Sequence, residues 1–230
     1  MTLYLIRHAQ SANNDLYDRT GSSFGRVEDP ELTPLGGRQA RILAEYLAKD
    51  GGRDGEYGFT HLYTSLMVRS VATASAVSLK CDLQPVAWPE VHERMGIFLE
   101  DEQTGEFIGR PGKSRSYFQE HYPDLMLPDS LNEHGWWNRP AETEEQWRQR
   151  AGDFLAELSR RHGNSEDRVA IVTHGGFYHE VLSALAGGSE QSGVWFTMHN
   201  TGITRIDFHS DHASLVYHNR LEHLPPELDS

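Results

Sequence analysis

Three short strand-like runs, Leu3–Ile6, Phe59–Tyr63 and Val169–Val172, break off abruptly into polar residues: Arg7-His8, Thr64-Ser65 and Thr173-His174-Gly175-Gly176. Runs this short are not amphipathic helices; they suit strands buried on both faces. Helical spacing fills the intervals. Thr33-Pro34 supplies an N-cap and a proline at the first helical position, and Ala40, Leu43, Ala44 and Leu47 carry the helix to about Lys49. Met67–Leu79 turns Val68, Val71, Ala72 and Ala76 toward a core, with Arg69 in the first turn. Thr143-Glu144-Glu145-Gln146 fits a capping box ahead of Trp147, Ala151, Phe154, Leu155 and Leu158, a helix to about Arg161. A further helix follows Val169–Val172, with Val181, Leu182 and Leu185 inside and Gly187-Gly188 closing it. Strands alternating with helices predict an α/β fold around a mostly parallel sheet.

The remaining segments carry weaker patterns. Residues 12–31 read as a polar loop, Asp50–Gly58 as a glycine-rich break, and Asp82–Val86 as another short strand. Residues 88–140 are irregular and rich in Gly, Pro, Trp and charge, with a short helix around Ser116–Glu120. They lack the apolar periods of an independent core, so 1–230 reads as one domain with an insertion, a candidate lid, at about 95–140. Trp195–Met198, Ile203–Phe208 and Ser214–Tyr217 read as later strands, the last two an antiparallel pair. From Leu224-Pro225-Pro226 the tail is expected to fray.

Charge and cysteine content narrow the function classes. Against 21 Lys and Arg stand 34 Asp and Glu, a formal net charge of −13. No basic face is available for nucleic acid or an anionic membrane. Lys49, Lys80 and Lys113 are the only lysines, so arginine, with its planar fork of donors, carries most of the positive charge. Cys81 is the single cysteine, which excludes an internal disulfide and a cysteine zinc site. No apolar run approaches a membrane span, and Met1–Ile6 is too short for a secretory core, so a cytoplasmic location is expected.

Open parallel sheets bind ligands outside the carboxyl ends of their strands. There the three runs would bring together Arg7, His8, Arg69 and His174. Guanidiniums grip tetrahedral oxyanions through paired hydrogen bonds, and an imidazole can attack phosphorus to form phosphohistidine. With no P-loop lysine in view, the arginines would carry the phosphoryl charge. The cluster points to phosphoryl transfer without a metal or other cofactor.

Leu5-Ile6-Arg7-His8-Ala9-Gln10-Ser11, Leu32-Thr33-Pro34-Leu35-Gly36, Tyr63-Thr64-Ser65-Leu66-Met67-Val68-Arg69-Ser70 and Val172-Thr173-His174-Gly175-Gly176 together resemble the histidine phosphatase superfamily, the phosphoglycerate mutase-like family, in its own order. The resemblance implies a three-layer α/β/α sandwich. It implies His8 as the nucleophile, and Arg7, Arg69 and His174 with Gly175 as the phosphoryl pocket. It gives Asn14 a donor to a phosphate oxygen. The family's proton donor is an acidic residue after the third strand. Val91-His92-Glu93 fits, and Glu93 is favoured over Glu90, Glu100, Asp101 and Glu102. The family's usual glycine after the first histidine is Ala9 here, a change of one methyl that the loop is expected to tolerate.

A phosphatase is favoured over a phosphoglycerate mutase, because Arg19-Thr20-Gly21-Ser22-Ser23-Phe24 and Val91-His92-Glu93-Arg94-Met95-Gly96 only partly match the mutase motifs. A non-catalytic phospho-ligand binder ranks below both, since every reacting residue is present. Candidate contacts to the rest of a small phosphorylated substrate are Arg26, Arg110, Lys113 and Arg115, with Trp136-Trp137 as either an aromatic wall or core packing. His209, His212, His218 and His223 are irregularly spaced and read as solvent-facing, not as a metal site. A homodimer is compatible with the sequence. An acidic exterior slows an anionic substrate, so kcat/KM is expected to rise as moderate salt screens that repulsion; a fall with salt would contradict it.

Overall fold

The computed structural model describes residues 1–49, 55–187 and 193–230. Much of the expected glycine-rich break at Asp50–Gly58, and Gly188, lie outside them. Strands β1 (Thr2–Arg7), β2 (His61–Thr64), β3 (Pro85–Ala87), β6 (Arg168–Thr173), β7 (Ile203–Phe208) and β8 (Ala213–Arg220) form one sheet in the order β3-β2-β6-β1-β7-β8. β1, β2, β3 and β6 run parallel, while β7 and β8 are antiparallel to their neighbours. The mostly parallel expectation holds.

The register explains the layers. Leu3 lies beside Val169 and Leu5 beside Ile171 on one face; Tyr4 lies beside Ala170 and Ile6 beside Val172 on the other. The first face packs on α5 (Glu144–His162) through Ala151, Phe154 and Leu158, and on α6 (Gly175–Leu185) through Phe177, Val181 and Leu182. The second packs on α2 (Pro34–Lys49) through Leu43, Ala44 and Leu47, and on α3 (Val68–Cys81) through Ala74 and Val77. This is a three-layer α/β/α sandwich. Each fully buried Leu or Ile contributes about 1.5–3 kcal/mol. Thr143 caps α5 in the expected box with Gln146, and Thr33 Oγ1 accepts from Gly36 N–H at 3.0 Å.

Several expectations need correction. Residues 12–31 are not all loop: α1 (Ala12–Thr20) begins on a Ser11–Asn14 capping box and ends on a left-handed Gly21. It buries none of its residues, so no apolar period announces it. The 88–140 segment is more ordered than its composition implies. It holds a short 3₁₀ turn at Pro89–Val91, a hairpin of β4 (Phe98–Glu100) and β5 (Phe107–Gly109), and α4 (Arg115–His121). Phe118, Leu125 and Leu131 pack on Leu66, Val71 and Ala87, and Met126 bridges Val86 at the sheet edge. Trp195–Met198 is not a strand. His223 is buried, not solvent-facing, and shares a 3.1 Å hydrogen bond with Thr201 Oγ1. The tail is tied down: buried Gln39 donates to Leu228 O at 2.7 Å and Ser230 Oγ at 2.9 Å. Among the described residues, no helix is long and apolar enough to cross a membrane.

Gly36 marks where α2 meets the loop after β1. A Cβ there would lie 2.0 Å from the Gln10 carbonyl oxygen, whereas one on Gly37 would meet nothing. Gly36→Ala is therefore expected to cost about 3 kcal/mol through backbone displacement, and Gly37→Ala to gain about 0.5–1 kcal/mol in helix propensity. Thermal unfolding of both variants checks the contrast; equal behaviour would refute the packing argument.

Candidate active site

The carboxyl ends of β1, β2 and β6 converge, and the side chains just beyond them meet. Arg7 ends β1, and His8 follows with its N–H donated to Thr173 O at the end of β6, 2.9 Å away. Three further bonds pin this loop. Asn200 Nδ2 donates to His8 O (2.8 Å), Ala9 N–H to Thr73 Oγ1 (3.0 Å), and Gln10 N–H to Gln39 Oε1 (2.8 Å). Ala9 is fully buried and is not among the residues with positive φ, so the backbone here does not require glycine.

His8 is buried with both ring nitrogens engaged. Nδ1–H donates to Ala9 O at 2.7 Å, and Nε2 accepts from Arg69 Nε–H at 3.0 Å. This fixes a neutral imidazole with its lone pair on Nε2. Burial first, then the positive Arg69 and Arg7, hold its pKa well below the usual histidine value, against the pull of the Ala9 carbonyl. The His174 ring lies 5.0 Å from the His8 ring, centroid to centroid. Its Nε2 is 2.7 Å from Ser65 Oγ, which itself accepts from Met67 N–H, and its buried Nδ1 has no hydrogen-bond partner. Burial, followed by Arg69 and His8, likewise holds His174 neutral.

The two arginines are held largely by uncharged groups. Arg7 Nη1 donates to Met198 O at 2.5 Å, and its Nε is buried without a partner. Arg69 is buried, with Nη2 3.2 Å from Met67 Sδ and Nη1 3.9 Å from Asp29 Oδ1. Asp29 accepts from Val68 N–H at 3.1 Å, and burial raises its pKa to about 6 although Arg69 opposes. A Cβ on Gly175 would make ordinary contact with Arg7 Nε at 3.6 Å.

Glu93 reaches the same place from the 88–140 segment. Its carboxyl oxygens accept from Gly176 N–H (3.1 Å) and Phe177 N–H (3.0 Å) in the first turn of α6, and from Arg94 N–H (2.8 Å). A Cβ on Gly176 would sit 2.3 Å from Glu93 Oε1, so glycine is needed for this approach. Buried Arg150 holds the loop, donating to the carbonyls of Glu90 (2.7 Å) and His92 (3.0 Å) while paired with Glu142. Thr173 Oγ1 adds a bond to Val91 O at 2.7 Å.

A cavity of about 250 Å³ opens here, lined in part by Arg69, Glu93, Gly176, Arg26, Phe98 and Trp195. Of the expected substrate-side residues, Arg26 lines it. Arg110 lies 4.0 Å from Glu28 Oε2, and Lys113 lies over the Tyr117 ring. Arg115 is not in the lining; it donates to Leu131 O and Pro128 O, which ties the insertion to itself. Trp137 is core, packed with Met67 and Ile97. Asn14 spends its Oδ1 on the Ser11 cap, which leaves its Nδ2 as the donor. Sequence reasoning missed Asp29, Asn200, Gly176, Phe98 and Trp195. Only Gly176, beside His174 in its motif, left a signal. Among the described residues, the one His/Asp group with ligand spacing is His61, His162 and Asp167, at the opposite ends of β2 and β6. There His162 is already bonded to Asp167 (2.7 Å) and Tyr63 (3.2 Å), a satisfied structural cluster.

A sequence model described as "Histidine phosphatase superfamily (branch 1)" matches residues 3–221. The chain belongs to the histidine phosphatase superfamily. A protein of Hydrogenobacter thermophilus, provisionally named phosphoserine phosphatase 2, is 32% identical over 230 residues, covering 96% of each chain. Phosphoglycerate mutase-like protein 1 of Arabidopsis thaliana is 28% identical over 215 residues, covering 80% of this chain and 71% of that one. Among solved histidine phosphatase folds, a mutant phosphoserine phosphatase from Entamoeba histolytica in complex with phosphoserine superposes with TM-score 0.61 at 21% identity, covering 97% and 99% of the two chains. The alpha-ribazole phosphatase of Shigella flexneri gives 0.63 at 21% identity, covering 96% of both.

The neutral histidines of this histidine phosphatase have a cost in acid. His8, His92 and His174 are held well below their usual pKa by burial, and burial pushes His223 down to about 4. Unfolded, all four take up protons near pH 6.5, so their contribution is full above that and is lost as pH falls. Asp29, raised to about 6, works the other way, taking up a proton in the folded state first. The histidines outweigh it. Stability by urea unfolding is expected to be lower at pH 5.5 than at pH 7.5. A flat profile would mean the histidines are not buried neutral.

Proposed function

We propose that this histidine phosphatase superfamily member is a metal-independent phosphomonoester hydrolase that acts on a small phosphorylated metabolite through a phosphohistidine at His8. The observation that carries the reading is the His8 ring, with Nδ1–H bound to Ala9 O and the Nε2 lone pair in the pocket beside Arg69. Substrate phosphate draws the Arg69 N–H from Nε2, and Nε2 attacks phosphorus. The positive charge then developing on the imidazole is stabilised by the Ala9 carbonyl. Arg7 and Arg69 take the equatorial oxygens, with Asn14 Nδ2. With Ser65 Oγ accepting from Met67 N–H and donating a hydrogen bond to His174 Nε2, the neutral His174 carries its proton on Nδ1, unpartnered in the free pocket, as a further donor. Glu93, seated on the start of α6, protonates the leaving alkoxide and then takes a proton from the water that hydrolyses phosphohistidine. The relatives named phosphatases act, by name, on small phosphorylated molecules, and the 250 Å³ cavity is of that scale.

Wild-type protein is expected to release phosphate from para-nitrophenyl phosphate and to trap acid-labile phosphate on His8, with His8→Ala abolishing both. A relative named phosphoglycerate mutase-like keeps the mutase in view. A coupled assay separates the two: rapid conversion of 3-phosphoglycerate to 2-phosphoglycerate with little phosphate released would replace the hydrolase reading.

A further inference from the structure

Arg26 is a cation at the rim of the candidate active site. It sits on the loop after α1, just ahead of two fixed points. Asn13 grips Val27 from both sides, Nδ2 to Val27 O at 2.8 Å and Val27 N–H to Oδ1 at 3.0 Å, and Asp29 is bound to the first turn of α3. Next to these anchors the Arg26 guanidinium lies 4.2 Å over the Phe98 ring and lines the cavity that Arg69 and Glu93 also line. Its Nε is buried with no hydrogen-bond partner, and it makes no ion pair among the described residues. Burial disfavours its charge and Arg69 repels it, while Glu93 and Glu100 pull the other way.

The face of Phe98 offsets only part of such a cost. A half-buried guanidinium beside another guanidinium, with an unused buried N–H, is matched to an anion that arrives with the ligand. The phosphoryl group already has Arg7, Arg69, His174 and Asn14 in the proposed reaction. The second anion must also share a small cavity with Glu28 and Glu93. The Glu28 carboxylate opposes a second dianionic phosphate, whereas a single-charged, planar carboxylate fits the guanidinium fork.

We propose that Arg26 is a specificity residue that binds a carboxylate on the substrate's carbon skeleton, so that the site selects small phosphorylated carboxylic acids. The assignment rests on the hydrolase reading above. It does not follow from that reading, because the phosphoryl chemistry makes no use of Arg26.

Matched substrates test it. Phosphoserine and phosphoethanolamine differ by one carboxylate; 3-phosphoglycerate and glycerol 3-phosphate differ by a carboxylate against a hydroxymethyl. In the wild type, kcat/KM is expected to favour the carboxylate member of each pair by roughly 30-fold, carried mainly by KM. In Arg26→Gln that ratio is expected to fall to within about threefold of unity, and in Arg26→Lys, which keeps the charge without the fork, to an intermediate value. A wild type without preference, or a ratio preserved in Arg26→Gln because both members fall together, overturns the assignment while His8-dependent para-nitrophenyl phosphate hydrolysis still supports the hydrolase. A wild type inactive on every phosphomonoester overturns both.

Discussion

Two guanidiniums and two imidazoles share one buried site, and they can do so only while the imidazoles stay neutral. Four like charges in a medium of low dielectric would repel one another strongly. The fold resolves this with acceptors that carry no charge. Arg7 donates a hydrogen bond to the Met198 carbonyl, and Arg69 donates one to His8 Nε2 and faces Met67 Sδ. Asp29 lies 3.9 Å from Arg69, where burial keeps its charge expensive, and Glu93 adds a further acidic group beside both arginines. The Ala9 carbonyl selects the His8 tautomer that leaves Nε2 as acceptor. The proposed nucleophile and the cationic well are thus one arrangement: after burial itself, the arginines that would hold phosphate are what keep the histidine's basic nitrogen free of a proton.

The second dependence runs through α6. Its first turn follows His174 directly, so the strand end that delivers the second histidine also delivers free N–H groups. Two of these, on Gly176 and Phe177, hold the Glu93 carboxyl. Arg150 on α5 secures the Glu93 loop from behind through the Glu90 and His92 carbonyls, paired bidentately with Glu142. One face of the sandwich therefore positions both the phosphoryl pocket and the acid proposed to act on the leaving group. The other face, through Gly36 against Gln10, fixes the loop that bears His8, the proposed nucleophile.

The sheet and its helices were legible because burial imposes a period. Leu3–Ile6 and Val169–Val172 are apolar on both faces, and α2, α5 and α6 each repeat an apolar side chain every third or fourth residue. The residues that converge were legible because they stand at strand ends, where topology alone brings them together. What escaped notice has no period. α1 buries no side chain, and a capping box of Ser11 with Asn14 was its one local sign. Trp195–Met198 has strand-like composition, yet Met198 serves Arg7 through its carbonyl instead of joining the sheet. Arg115 and Arg26 look alike in sequence. One neutralises loop carbonyls and the other lines the cavity, a difference set by long-range packing. Asp29 was invisible for the same reason, since its partners Val68 and Arg69 lie some forty positions away.

The charge of −13 takes on a different meaning beside this interior. An acidic surface with a buried cationic well makes the free site the least compensated part of the molecule. Arg7 and Arg26 each keep a buried Nε without a hydrogen-bond partner, and so does His174 at Nδ1. These are donors prepared in advance, and their cost is carried by the folded chain before any ligand arrives. An oxyanion entering the site satisfies several of them together, and any ligand that binds only the folded chain stabilises it by mass action. The same preorganisation applies to inorganic phosphate, the product of the proposed reaction. A well built to hold phosphoryl oxygens during transfer also holds the leaving phosphate, so the acidic surroundings that slow an anion's approach give no added hold once it has left the well.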